Sequence, residues 1–129
     1  MKIDFFLSMR IPTVTQQEHK VAIKNGKPHF YEPPELRDAR NKFIAHLAGY
    51  KPEEKLTGPI RLLTKWQFEG DSSWKTTKPD TDNMIKLFKD CMTKCGYWKD
   101  DAQVCSEITE KFYGPIEGIY VKVEELEND

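Results

Sequence analysis

No stretch of this sequence approaches the roughly 18 consecutive apolar residues that a membrane-spanning helix needs. None resembles a secretory leader either: the run from Met1 to Pro12 is apolar only briefly, carries Asp4 early and has no small-residue cleavage site. The expectation is a cytoplasmic protein that does not enter a membrane. Cysteine is scarce and odd in number, at Cys91, Cys95 and Cys105. Without an export signal, disulfides are not expected. Cys91 and Cys95 lie one helical turn apart, but a zinc site would need two more ligands at suitable spacing, and His19, His29 and His46 are scattered upstream. Buried or half-buried free thiols are expected instead. Internal repeats and low-complexity tracts are also missing.

What remains is the profile of an ordinary globular chain. Its 129 residues and 15.1 kDa suit one domain spanning residues 1–129. Hydrophobic residues make up 38% and charged residues 32%, which is enough apolar material for a real core. The net charge of −1 argues neither for nor against nucleic acid, but its distribution is uneven. Glu117, Glu124, Glu125, Glu127 and Asp129 outweigh Lys122 near the end, so the rest of the chain is net positive. That acidic end would be repelled by a phosphate backbone and is expected to face away from one.

Lys2–Met9 alternates Ile3, Phe5 and Leu7 against Asp4, Phe6 and Ser8, which predicts a first strand that Pro12 ends. Residues 13–31 are polar and basic, with a turn signal at Asn25-Gly26, and fit a small hairpin or a loop equally well. Their Lys20, Lys24 and Lys27 are candidate DNA-facing cations, with a solvated loop as the plain alternative. Pro33-Pro34-Glu35 opens a helix whose apolar stripe is Leu36, Ala39, Phe43, Ile44 and Leu47, stopped at Gly49. A strand follows, with Ile60, Leu62, Trp66 and Phe68 on one side and Arg61, Lys65, Gln67 and Glu69 on the other. A polar connector over 70–78 carries Trp74, Lys75 and Lys78 into a second helix at about Asn83–Lys94. That helix has its buried stripe at Met84, Leu87, Phe88, Cys91 and Cys95, and Gly96 as its cap. Gln103–Tyr113 and Gly118–Glu124 read as two final strands. The order β-α-β-α-β-β predicts an α+β fold, a small mixed β-sheet with two helices packed on it.

The chemistry concentrates between Lys78 and Val104. Asp80 and Asp82 stand at the start of the second helix, and Asp100 and Asp101 stand just past its end. A helix start favours Asp as a cap and through the dipole, which by itself accounts for one aspartate or for both. A calcium loop also begins D-x-D, but Met84, Ile85 and Cys91 occupy positions that such a loop needs for ligands and glycine. Lys86 follows Asp82 by four residues and Asp90 follows Lys86 by four, so the three share a helix face. That face is either a surface ion-pair ladder or a cation set beside carboxylates. If the two acidic pairs converge, their mutual repulsion calls for a cation. Carboxylate oxygens select magnesium or manganese over zinc, and such an ion supports phosphodiester hydrolysis.

The run Lys78-Pro79-Asp80-Thr81-Asp82-Asn83, with Lys86, Asp90, Gly96-Tyr97-Trp98 and Asp100-Asp101-Ala102-Gln103-Val104, resembles the RusA family of Holliday junction resolvases. The pattern is D-x-D-N at a helix start, a lysine on that helix, and G-[FY]-W-x-D-D-x-Q-V, at the same separations. The close match covers about a fifth of the chain. The resemblance implies a homodimeric, magnesium-dependent endonuclease, manganese being an alternative ion, that resolves four-way DNA junctions by paired nicks in recombination and repair. By position it implies metal-binding and catalytic roles for Asp80, Asp82 and Asp101 and a catalytic role for Lys86. The choice of Asp101 over Asp100 comes from the resemblance alone. Some members carry an arginine cluster before the D-x-D, where this chain has only Lys75 and Lys78 as candidate DNA contacts. Two other functions fit the residues: a metal-dependent nuclease for flaps or other branched DNA, and a junction-binding module whose acids are structural.

Overall fold

The computed structural model describes residues 1–13, 20–24 and 26–127, with 20–24 and 27–31 described by backbone alone. Nine elements follow in order: β1 (Lys2–Ser8), β2 (Lys20–Lys24), β3 (Lys27–Tyr31), α1 (Pro34–Leu47), β4 (Ile60–Glu69), α2 (Thr81–Cys95), a 3-10 turn (Asp101–Gln103), β5 (Val104–Gly114) and β6 (Gly118–Glu125). A four-stranded mixed sheet of order β1-β6-β4-β5 carries the fold. Only β4 and β5 run parallel; β1 pairs β6, and β6 pairs β4, antiparallel. Sheet and helices follow the expected β-α-β-α-β-β order, and the fold is α+β.

The segment between β1 and α1 contributes a two-stranded hairpin, with Lys24 opposite Lys27. Gly26 sits in the turn at φ 76°, a conformation that glycine adopts without strain. Asn25, its expected partner in the turn, and residues 14–19 lie outside the described residues.

Both helices cover one face of the sheet. Strict alternation along β4 buries Ile60, Leu62, Thr64, Trp66 and Phe68 beneath them and leaves Arg61, Lys65 and Glu69 exposed. Phe43 of α1, Phe88 of α2 and Trp66 of β4 meet edge to face, with centroids 5.2 to 5.9 Å apart. Such pairs add about 0.5–1.5 kcal/mol each beyond their burial, so this trio fixes how the layers meet. Thr64, buried within the sheet, accepts a hydrogen bond from Trp66 Nε1 at 2.9 Å.

The helices are also tied to each other. The Cys91 and Cys95 thiols donate to the Arg40 and Ile44 carbonyls of α1. Burial pushes the Cys91 thiol from 9.0 up to about 12, so it stays protonated, as a packed thiol rather than a ligand. Gly96 ends α2 in the left-handed region at φ 92°, as its sequence position predicts. For α1 the cap is Ala48, in ordinary helical conformation, and Gly49 is not needed to stop it. No helix among the described residues is long and apolar enough to cross a membrane.

The acidic end of the chain is part of the framework. Its strand β6 lies inside the sheet, and its side chains fasten both ends of it. Glu117 accepts from the Ile11 N–H at 2.6 Å. At the other end Glu125 accepts from the Thr57 and Gly58 N–H groups.

Candidate active site

The unit β4–α2–β5 dictates where the acids stand. Two adjacent parallel strands require the connecting helix to carry the chain back along the sheet. The contacts along α2 trace that return. Lys111 Nζ of β5 donates to the Thr77 and Pro79 carbonyls at 2.6 and 2.7 Å, next to the helix start. Lys89, midway along, pairs with Glu107 at 3.1 Å. Beyond the helix end, the Tyr97 carbonyl accepts from the Leu56 N–H at 3.0 Å, and Gln103 donates to the Leu56 and Gly58 carbonyls.

Asp80 and Asp82 therefore sit at the end of the sheet where β4 finishes, and Asp100 and Asp101 at the end where β5 begins. The 15 residues of α2 separate the two ends by about 22 Å at 1.5 Å per residue. Within one protomer the acidic pairs do not converge. Among the described residues, no three His, Cys, Asp or Glu side chains lie close enough together to hold a metal ion.

The two pairs also differ in what their carboxylates do. Asp80 holds the N-cap position of α2 in extended conformation, yet its side chain makes no capping hydrogen bond. Asp82, in the first turn, is exposed, as is Lys86 one turn further on. None of the three forms an ion pair among the described residues. Of the two readings of that helix face, the ion-pair ladder from Asp82 through Lys86 to Asp90 is not built among the described residues. Asp90 turns instead to α1, where it pairs with Arg40, which also binds Glu32 at 2.9 Å. Asp90 additionally meets Lys94 at 3.6 Å. Arg40 is largely buried, so it holds Asp90 more firmly than a surface lysine would.

At the far end Asp100 is the N-cap of the 3-10 turn and is fully engaged. Its Oδ1 accepts from the Ala102 N–H at 2.9 Å, while Gln103 Oε1 accepts from the Lys99 and Asp100 N–H groups. Both carboxylates are exposed, but this reciprocal capping box engages Asp100 and leaves Asp101 as the one with no hydrogen bond or ion pair among the described residues.

The connector into Asp80 is pinned along the edge of β5. The Lys75 N–H donates to the Lys111 carbonyl at 3.3 Å and the Tyr113 N–H to the Ser73 carbonyl at 2.8 Å, with Trp74 bridging Phe112. Lys75, expected to face DNA, turns into the molecule. Its ammonium lies 5.0 Å over both the Phe68 and Tyr113 rings and donates to Thr77 Oγ1 and Tyr113 Oη. The hydrogen bond from Lys75 holds the Tyr113 phenol below its ordinary value. Lys78 is exposed. The side chains of Lys20, Lys24 and Lys27 lie outside the described residues. Lys111 went unnoticed in the sequence; its signal was a lysine facing the helix layer beside Trp66 in the β4–β5 register.

Comparison with known proteins finds relatives that cover most of the chain. The model of a family described as "Endodeoxyribonuclease RusA" matches residues 10–124. The "Crossover junction endodeoxyribonuclease rusA" of Lactococcus phage r1t is 31% identical over 112 residues, covering 81% of this chain and 83% of the relative. The uncharacterized protein YqaN of Bacillus subtilis (strain 168) is 28% identical over 129 residues, covering 88% of this chain and 90% of its own.

Proposed function

The chain belongs to the RusA family of endodeoxyribonucleases, and from that premise we propose that it is a magnesium-dependent nuclease that resolves four-way DNA junctions by paired nicks. The observation that carries this reading is the state of Asp80 and Asp82. Two exposed carboxylates open α2 without a capping hydrogen bond from Asp80 or, among the described residues, an ion pair from either. A structural acid at a helix start would cap it.

The donor set fits a hard divalent ion in kind: the oxygens are carboxylates at a helix N-terminus. In number it falls short, because one protomer offers two at this end. Asp80 and Asp82 would hold the ion, and Asp101 from a second copy would complete the set. A bound magnesium or manganese ion would supply an activated water and stabilise the departing oxygen. Lys86, one turn from Asp82, is placed to contact a phosphate oxygen. Lys111 orients the acids by holding the two carbonyls that precede them.

The same reading takes the protein to act as a homodimer. Two-fold symmetry creates two equivalent composite sites, one for each of the two equivalent strands of a four-way junction. The protein should act on branched DNA in recombination and repair.

The test uses end-labelled DNA with magnesium: a movable four-way junction, a flap, and linear duplex of the same sequence. Symmetric, ligatable cuts confined to the junction are expected. Equal cutting of the linear duplex would leave only a general nuclease, and preference for the flap would move the substrate. Tight junction binding with no cutting in magnesium or manganese would favour a binding module.

A further inference from the structure

The face of the sheet opposite the helices holds a second feature at the same end as Asp80 and Asp82. Bridge partners on neighbouring strands project to one side, so Trp74 and Phe112 both stand on this open face. Their rings meet at 76° with centroids 6.3 Å apart. Trp74 is 67% exposed, whereas Trp66 and Trp98 are 1% and 0%. The backbone bonds of its neighbours Ser73 and Lys75 to β5 hold the indole in place while its ring stays open to water. Beside it lies a cleft of about 400 Å³, whose walls include Lys65, Ser72, Glu110, Phe112 and Pro115. Gly114 also lines it, and a Cβ there would fall 2.3 Å from Cδ of Gln67, whose flexible side chain would have to shift.

We propose that the Trp74–Phe112 cleft receives an unpaired nucleobase of the DNA, stacked on the Trp74 indole. The inference rests on the nuclease reading above and adds a subsite to it. The cleft size suits a small ring system, and aromatic platforms accept any base through its π-face. Lys65 and Glu110 oppose each other across β4 and β5, so their charges offset and the cleft favours a base over a phosphate. A base inside duplex has both faces occupied by its neighbours; one freed at a branch point does not. From Trp74 to Asp80 the chain spans six residues, at most about 20 Å when extended. A base held by Trp74 thus lies within a helical turn of the strand presented to the acids.

With its other two tryptophans buried, the protein reports on this subsite through its own fluorescence. The full chain, without divalent ions, is titrated with single-stranded oligothymidylate and with linear duplex, beside Trp74→Ala and Trp74→Phe. Oligothymidylate is expected to quench the wild type and to lose at least about fivefold in affinity for Trp74→Ala. Trp74→Phe should bind nearly as the wild type, and duplex affinity should change least. Equal affinity in Trp74→Ala, or quenching that survives the substitution, overturns the subsite. Fluorescence that changes with protein concentration alone, together with a smaller solution mass for Trp74→Ala, overturns it in favour of a contact between copies. Junction cutting by the wild type separates the two ideas. A wild type that resolves junctions while Trp74→Ala binds normally removes only the subsite, and a wild type that cuts no DNA removes the nuclease reading itself.

Discussion

Two aspartate pairs of nearly the same composition bracket α2, and they behave differently. Asp100 opens a 3-10 turn and gives its carboxylate to the backbone; Asp80 opens α2 and does not. The residue three positions on explains part of the contrast. After Asp100 it is Gln103, long enough to return a hydrogen bond to the cap backbone. After Asp80 it is Asn83, one methylene shorter. One pair therefore has a single carboxylate to offer, Asp101, and the other has two. The proposed set of three draws on both ends of the helix, which are about 22 Å apart.

The largest expected effect breaks the contrast at its reactive side. Asp80→Asn, Asp82→Asn or Asp101→Asn should each abolish junction cleavage, while binding measured by gel shift is retained or tightened. Removing negative charge beside phosphates cannot weaken the attraction. Cleavage at the wild-type rate by Asp82→Asn in magnesium would return that acid to a helix-start role.

Mixing inactive variants tests whether the two ends meet across copies. In a heterodimer of Asp82→Asn with Asp101→Asn, one composite site carries both defects and the other carries none. The mixture should recover nicking of one strand per junction. If all three acids served one protomer, every site would keep a defect and the mixture would stay inactive.

Lys86 comes next. Lys86→Ala should lower the cleavage rate at least about tenfold with little change in melting temperature, because Lys86 forms no ion pair among the described residues. A large fall in melting temperature with normal specific activity would make Lys86 structural.

The smallest effect belongs to Asp100. Asp100→Ala removes the acceptor for the Ala102 N–H and should cost about 1 kcal/mol in denaturant unfolding. Asp100→Asn keeps an oxygen there, so it should be near neutral in stability and the mildest of the four Asp→Asn changes in cleavage. Loss of activity in Asp100→Asn equal to that of Asp101→Asn would erase the distinction between them.

The sequence by itself determined what depends on near neighbours along the chain. The buried stripe of α2, its stop at Gly96, the alternation of β4 and the order of strands and helices all repeat at short periods, so they can be read locally. The D-x-D-N, Lys86 and G-Y-W-x-D-D-x-Q-V spacing carried the family by the same route. Tertiary structure decided everything that rests on distant partners. Asp90 left the Lys86 face because Arg40, 50 residues away, reaches it. Lys75 turned inward because Phe68 and Tyr113 offer it ring faces, and Lys111 came to the helix start through the β4–β5 register. Above all, the parallel pairing of β4 with β5 sends α2 the length of the sheet. Acids that lie close in the sequence, on either side of one helix, are for that reason at opposite ends of the sheet.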